Sequence, residues 1–460
     1  MNELDSQIIS GLLAQHGYVM VEDEAAADAL LFNTCSVRDL SERKVLGKLG
    51  TLRHGRARRP ELVLGVCGCM AELSGERLLR KQPHVDFVCG TNSAGSLPRL
   101  LAQAFTRRLA SAQQTKHNGA QLERLRRAFQ SNGDARAEAD LPALLAALGF
   151  EAGKAVDELV ARRPQPWQAF VAVMRGCSNF CSFCVVPHAR GPEVSRPADE
   201  IVAEIEELAA RGCSEVVLLG QNVNSYGRRG QTPGATFAAL LRRVNAIAGI
   251  RWIRFLTSNP QDISADLIAA IGSCEKVCHQ MHFPLQSGSD RILKLMNRKY
   301  TCAEYLGIVE KIRAAAPDMA FSTDIIVGFP TETDEDVADT ARAMRAAGFA
   351  SGYIFKYSPR PGTKAAELAD DVPVEVKKAR HQTLLALQNE LTFKAHQGLV
   401  DTTQLVLAEG PSKTDTRMLR GRTATHFNVV FPGAPEYAGR FITVRITRAT
   451  PLTLYGETST

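Results

Sequence analysis

Short apolar runs alternate with stretches of helical spacing through the middle of the chain, and this alternation sets the expected architecture. Strands are predicted at Phe170–Met174, Glu215–Leu219, Trp252–Leu256, Val277–Phe283, Phe321–Val327 and Gly352–Tyr357. Helices are predicted between them, among others at Ala198–Arg211, Phe237–Ala248, Ala303–Ala316 and Thr333–Ala347. Successive strand–helix units without hairpin signals imply a parallel, curved sheet, here a partial (β/α)6 barrel. Each strand runs out into a turn rich in Gly, Pro, Ser or Asn: MRGCSNFCSFC, GQNVNSYG, TSNP, PLQSGSD, GFPTET and SPRPGT. A barrel keeps its chemistry at the carboxyl-terminal rim of its strands, so these turns are expected to surround one cavity.

Upstream the pattern is α/β again. Ile8, Ile9, Leu12 and Leu13 have helical spacing within Asp5–His16, and apolar runs at Ala29–Phe32, Leu62–Val66 and Val85–Val88 read as strands of an open sheet. They end in NTCSVR, CGCM and CGTN. Ligands of parallel sheets collect beyond the carboxyl ends of strands, where Cys35, Cys69 and Cys89 are found. Residues 104–163 become rich in Ala, Arg, Leu and Gln and read as a helical insertion and linker. After a long helix, Val374–Ala395, the period changes to that of strands: Thr403–Ala408, Arg417–Arg422, Asn428–Phe431, Phe441–Ala449 and Leu452–Glu457. Short strands so closely spaced imply a small β-barrel of the kind that binds nucleic acid. Lys413, Arg417, Arg420, Arg422 and Arg440 group around its turns and are candidate phosphate contacts. A purely structural small barrel is the alternative. The domain plan is therefore 1–103, an open α/β unit; 104–163, the insertion; 164–396, the partial barrel; and 397–460, the small barrel.

Composition narrows the class without naming a function. The 460 residues are 45% hydrophobic and 23% charged, with a net charge of +6, which permits a polyanionic partner without requiring one. Eleven cysteines, an odd number at uneven spacing, argue against a secreted disulfide framework. No apolar stretch approaches a membrane span, and the start MNELDSQII lacks the basic and apolar regions of a signal peptide. The expectation is a cytoplasmic protein with no membrane partner.

The candidate chemistry centres on Met174–His188, MRGCSNFCSFCVVPH, where Cys177, Cys181 and Cys184 stand at C-x3-C-x2-C spacing after an apolar strand. Thiolates ligate both zinc and iron–sulfur clusters, and His188 is placed to complete a Cys3His zinc site. Three protein ligands on a 4Fe–4S cluster would instead leave one iron open to a substrate. Chance clustering of thiols is a third reading, opposed by the exposed-turn character of Arg175, Gly176, Ser178 and Asn179. Cys35 and Cys69 are candidates for a second metal centre, Cys67 and Cys89 weaker ones; the alternative is that all are small buried hydrophobes.

With these residues assembled, the chain resembles the radical S-adenosylmethionine methylthiotransferases, and within them the tRNA 2-methylthio-adenosine synthases. The resemblance is carried by NTCSVR (Asn33–Arg38), GCMAE (Gly68–Glu72), the cysteine motif with VVPHARGPEVSR through Arg196, GQNVNSYG, PLQSGSD, MNRKYT (Met296–Thr301), TDIIVGFP, FKYSPRPGT and the segment from EGPSK to FPG. It implies an N-terminal domain with an auxiliary 4Fe–4S cluster, a radical S-adenosylmethionine barrel and a C-terminal TRAM domain that grips tRNA. The implied cofactors are a 4Fe–4S cluster on Cys177, Cys181 and Cys184, a second on Cys35 and Cys69, and S-adenosylmethionine. Gln221 and Asn222 then suit the methionine moiety of S-adenosylmethionine, Gln286, Ser287 and Ser289 its ribose or adenine, and Asp324 faces the cavity.

The implied reaction is methylthiolation of C2 of isopentenylated adenosine beside the anticodon. That hydrogen is neither acidic nor on a carbon open to nucleophiles, so a carbon radical is needed. One S-adenosylmethionine methylates an auxiliary-cluster sulfide and a second is cleaved to a 5′-deoxyadenosyl radical, with electrons from a low-potential donor; a monomer is expected. The family's third auxiliary cysteine lies in a GCQMN-like motif closing a first strand, and this sequence begins at Met1–Asn2, just past it. The expectation is that this strand and cysteine precede Met1, with Cys67 or Cys89 as a substitute ligand the second possibility. As it stands the chain would hold one complete cluster, with sulfur transfer impaired. Rival readings are the sister enzymes acting on threonylcarbamoyl-adenosine or a ribosomal protein aspartate, and a non-catalytic tRNA-binding protein with structural zinc.

Overall fold

The computed structural model describes residues 1–36, 39–55, 59–114, 165–228 and 234–458. The chain divides into two compact units, one comprising Met1–Pro164 with Val185–Gly191, the other Gln165–Cys184 with Pro192–Thr460.

In the first unit β1 (Ala29–Thr34), β2 (Val63–Gly68) and β3 (Phe87–Cys89) form a parallel sheet in the order β1-β2-β3. Every residue of β2 is buried, as a central strand covered on both faces requires. One face packs Val63, Cys67 and Phe87 against Ile9 and Leu12 of helix Asn2–Gln15 and Leu101 of helix Leu97–Gln114. The other packs Val66 against Leu49 of helix Asp39–Gly55 and Met70 and Leu78 of helix Cys69–Lys81. Helix Leu97–Gln114 continues across the expected boundary at residue 103. The rest of the expected insertion, from residue 115, lies outside the described residues.

The second unit opens with β4 (Gln168–Ala172) and a two-strand ribbon, β5 (Met174–Arg175) with β6 (Val194–Ser195). Then follow β7 (Glu215–Leu219), β8 (Trp252–Leu256), β9 (Gln280–His282), β10 (Ala320–Val327) and β11 (Ser351–Lys356). They pair in parallel as β4-β7-β8 and β9-β10-β11, joined by a bridge between Ile253 and Val277. β9 is shorter than the predicted Val277–Phe283 because the segment changes partner midway. Cys278 N bonds Ile253 O of β8, whereas His279 O accepts from Ala320 N of β10, so no continuous ladder can form. Side chains alternate across each strand. Phe321, Ile325 and Val327 of β10 are buried in the main core with residues of the surrounding helices, such as Tyr305 and Met344, while Ser322, Asp324 and Ile326 share the opposite face.

After helix Val374–Gln397 the chain closes a five-stranded barrel from β12 (Thr403–Pro411), β13 (Met418–Thr423), β14 (Asn428–Pro432), β15 (Phe441–Ala449) and β16 (Leu454–Thr458). Val406, Leu419, Phe431, Val444 and Leu454 fill it. β16 starts two residues later than its apolar run predicts, because Thr453 N bonds Thr450 Oγ1 in a turn. This barrel packs on the amino-terminal ends of β7 and β8. Glu215 and Arg254 are 0% and 1% exposed and paired at 2.5 Å, and Arg254 donates to Ala424 O and Thr423 O at 2.7 and 2.8 Å. Beside them Trp252 meets Phe441 edge-on with ring centroids 4.8 Å apart. No helix among the described residues is long and apolar enough to cross a membrane.

Candidate functional site

The cysteine loop leaves β5 at the carboxyl-terminal rim and is pinned from several sides. Ser182 N donates to Met296 O at 3.0 Å and its hydroxyl to Leu295 O at 2.8 Å. Asn297 Nδ2 reaches Phe180 O at 2.8 Å, and Gln261 Nε2 reaches Asn179 Oδ1 at 2.6 Å. These anchors hold Phe180, 56% exposed, at φ 47°, in the left-handed region that a bulky side chain seldom adopts. Held this way, Cys177, Cys181 and Cys184 are all half-buried and unoxidised. The Cys177 thiol is pushed up to about 11, chiefly by burial and also by nearby Cys181 and Glu193, against a backbone bond from Asn179 and the charge of Arg298. A thiol so placed becomes a thiolate when a cation such as iron takes the proton's place.

Among the described residues no three His, Cys, Asp or Glu side chains lie close enough to share a single metal ion, and His188 is exposed. Three half-buried cysteines on one pinned loop supply the thiolates that would hold an iron–sulfur cluster.

Next to Asn179 lies a cavity of about 330 Å³ lined by Asn179, Glu193, Ser225, Arg228, Gln261 and Asp262. Sequence reasoning missed Glu193, Arg228, Gln261 and Asp262. The signal for two of them lay in the TSNP turn, expected at the cavity rim, which continues into Gln261–Asp262.

The predicted cofactor residues separate by what they already touch. Gln221 keeps both amide atoms buried without a partner among the described residues, as a ligand-binding side chain would before its ligand arrives. Asn222, 1% exposed, is committed to the fold: Nδ2 donates to Asp262 Oδ2 at 2.6 Å and Oδ1 accepts from Asn259 N. Gln286, at φ 73°, serves through its backbone, its N–H donating to Asp324 O and its carbonyl accepting from Ile326 N. Ser287, expected at the ribose or adenine, is 1% exposed, its hydroxyl lying 3.4 Å from Thr340 Oγ1 and accepting from Ser289 N. Ser289 caps helix Asp290–Leu295 and donates to Asp336 at 2.6 Å. Asp324 faces the barrel interior, 3.2 Å from His282 Nε2, and His282 Nδ1 lies 3.0 Å from Ser322 Oγ. His282 was also missed; strand alternation through Gln280–His282 could have placed it.

An expected consequence follows for Gln221→Ala. Losing one or two ligand hydrogen bonds at ~1 kcal/mol each should weaken S-adenosylmethionine binding on the order of tenfold. Equilibrium dialysis that finds unchanged affinity would remove Gln221 from the binding site.

In the first unit, the carboxyl ends of β1 and β2 bring Cys35 and Cys69 together. Burial raises the Cys69 thiol, opposed by Arg190 and reinforced by Cys35. Arg190, from helix Val186–Arg190, pairs with buried Asp5 beside them. Asn33 Oδ1 and Ser36 Oγ, flanking Cys35, are buried without partners among the described residues. Two thiols, a guanidinium and unpaired polar atoms fit the edge of a second cluster. Cys67 and Cys89 instead face the apolar cluster of Ile9, Leu12 and Leu97, each 2% exposed; burial raises both.

Gly68 is what lets the chain turn from β2 directly into the helix that begins with Cys69. Its φ is +89°, and a Cβ there would lie 2.5 Å from both Asn33 Oδ1 and Thr34 O. Gly68→Ala should cost ~1–3 kcal/mol and reduce iron bound at this edge. A urea midpoint and iron content matching the parent would show that the turn tolerates a side chain.

Of the candidate nucleic-acid contacts, Lys413, Arg417 and Arg420 are exposed, Arg417 pairing with nearby Asp415. Arg422 differs from these: its side chain is 18% exposed, bonded to Glu409 and 3.6 Å from buried Glu215.

Comparison with known proteins adds three matches to family descriptions: Radical SAM superfamily at residues 171–344, uncharacterized protein family UPF0004 at 1–90, and TRAM domain at 399–458. The tRNA-2-methylthio-N(6)-dimethylallyladenosine synthase of Syntrophomonas wolfei is 43% identical over 457 residues, covering 99% of this chain and 95% of that one. Those of Opitutus terrae and Clostridium novyi are 43% and 42% identical, over 99% of this chain and 95% and 94% of theirs. Among solved structures, the radical S-adenosylmethionine methyltransferase TsrM of Kitasatospora setae, with tryptophan and a SAM analogue bound, superposes with a TM-score of 0.52 at 14% identity. The match covers 79% of this chain and 72% of that one, a likeness of fold.

Proposed function

This chain belongs to the tRNA-2-methylthio-N(6)-dimethylallyladenosine synthases, and from that membership we propose that it methylthiolates C2 of N6-isopentenyladenosine beside the anticodon of tRNA. Two S-adenosylmethionine molecules are used per turnover, one as methyl donor and one as radical source. What most supports the reading is the pinned loop of Cys177, Cys181 and Cys184 at the rim of a parallel partial barrel. When bound there, a 4Fe–4S cluster supplies the electron that cleaves S-adenosylmethionine to a carbon radical, the reagent that an unactivated C2–H bond requires.

The chain's own residues do the holding. Cys177, Cys181 and Cys184 ligate the radical cluster; Gln221 bonds S-adenosylmethionine; Asp324 and His282 line the barrel interior. Cys35 and Cys69 ligate the auxiliary cluster, and Lys413, Arg417 and Arg420 meet tRNA phosphates. The enzyme works in the cytoplasm as a monomer fed by a low-potential electron donor.

The test is nucleoside mass spectrometry of tRNA from a strain lacking the gene. The 2-methylthio nucleoside should vanish while N6-isopentenyladenosine accumulates, and both should revert on complementation. Unchanged 2-methylthio-isopentenyladenosine would sink the proposal.

A further inference from the structure

One charged side chain touches the cysteine loop without serving its backbone. Arg298 Nη1 donates to Cys181 Sγ at 3.3 Å, across 117 residues of sequence. The guanidinium cannot drift from that position. Nη2 donates to Pro284 O at 3.1 Å and Nε to Tyr300 Oη at 2.8 Å, and the tyrosine hydroxyl is itself held by Pro284 O and Leu285 O at 3.1 and 3.0 Å. The preceding residues Leu295, Met296 and Asn297 are the ones that clamp Phe180 and Ser182. The segment after helix Asp290–Leu295 is therefore a single strap that fixes the loop's backbone and brings one cation to one of its sulfurs.

We propose that Arg298 is a positioning residue that sets the reduction potential of the cluster held by Cys177, Cys181 and Cys184. The proposal rests on the assignment of those cysteines as cluster ligands. The physical reason is charge. On accepting one electron from a low-potential one-electron donor, the cluster and its thiolates gain one unit of negative charge, which is delocalised onto the sulfurs. A fixed guanidinium with an N–H aimed at one sulfur stabilises the reduced form more than the oxidised one, because hydrogen bonds to cluster sulfurs and local charge are main determinants of potential. Losing this bond leaves the loop's anchoring through Ser182 and Asn297 untouched, so potential and cluster retention are separable.

The experiment uses the full chain, reconstituted anaerobically with iron and sulfide, as the parent, R298M, R298K and R298Q. Reduction is followed by electron paramagnetic resonance in a potentiometric titration. The relevant signal is identified by its change on adding S-adenosylmethionine. In R298M, which keeps side-chain volume but neither charge nor donor, the one-electron reduction equilibrium should become about tenfold less favourable, a shift of about 59 mV to more negative potential. R298K, which keeps the charge but not the planar fork, should fall between R298M and the parent. Iron content should be the same in all. Equal potentials in the parent, R298M and R298K at equal iron content overturn the proposal. If R298M retains no iron, R298K and R298Q carry the test: both must lie below the parent, and parental potentials in both overturn it. Failure of the underlying ligand assignment looks different. In that case a C177A/C181A/C184A chain keeps the parent's iron content and its S-adenosylmethionine-responsive signal, whatever Arg298 does.

Discussion

The C177A/C181A/C184A enzyme is expected to form no 5′-deoxyadenosine from S-adenosylmethionine and to leave tRNA unmodified, while keeping the secondary structure of the parent. The loss is total because the protein has no second route to C2. Acid, base and nucleophile have no purchase on that hydrogen, and the cofactor carries the difficult step. Typical enzymatic accelerations of ~10⁶ or more are therefore forfeited together. The fold should survive because the three cysteines are only half-buried and lie outside the core, on a loop anchored through Ser182, Asn297 and Gln261. The measurement is chromatography of 5′-deoxyadenosine under reducing conditions alongside circular dichroism. Continued 5′-deoxyadenosine formation would refute the assignment. C35A/C69A provides the contrast: cleavage of S-adenosylmethionine persists, and the methylthio product does not appear.

The second large effect concerns stability. Glu215→Ala should cost ~3–5 kcal/mol, because it strands a buried charge. Arg254 is 1% exposed, and Glu215 is the carboxylate that faces its Nε; Arg422 also lies 3.6 Å from Glu215. Gln168 donates to the same carboxylate. With Glu215 gone, two guanidiniums face each other at the junction of the two barrels, where Arg254 also holds Thr423 O and Ala424 O. The double substitution E215L/R254M should recover much of the loss, since apolar replacement of a buried pair is often neutral. The chain's only tryptophans, Trp167 and Trp252, lie at this junction: Trp252 against Phe441, and Trp167 where a Cβ on Gly439 would be 2.7 Å away. Tryptophan fluorescence in a urea titration therefore reports directly on its opening. A midpoint shift equivalent to less than ~1 kcal/mol would show that the junction does not depend on this pair.

Much of the architecture was legible because it is written in local period. Glu215–Leu219, Trp252–Leu256 and Phe441–Ala449 are strands over the spans their apolar runs mark. Helix Asp334–Ala347 begins at Thr333, whose side chain and Asp336 cap each other, as their spacing suggests. β9 was overestimated because hydrophobicity records burial and not the partner, and this segment changes partner from β8 to β10. The site divided in the same way. The grouping of Cys177, Cys181 and Cys184 on one loop was legible from spacing, whereas the partners of Asn222, Ser287 and Arg422, namely Asp262, Thr340 and Glu409, come from distant parts of the chain and were not.

The sequence by itself determined the order of units, the periods of their strands and helices and the cysteine loop, since each depends on residues a few positions apart. The tertiary structure alone decided which polar side chains remain unpaired, as Gln221 does, and which cation stands beside which sulfur, as Arg298 beside Cys181. Hydrogen bonds and charges act over a few ångströms of space, and the partners in each case are brought within that range only when the barrel closes.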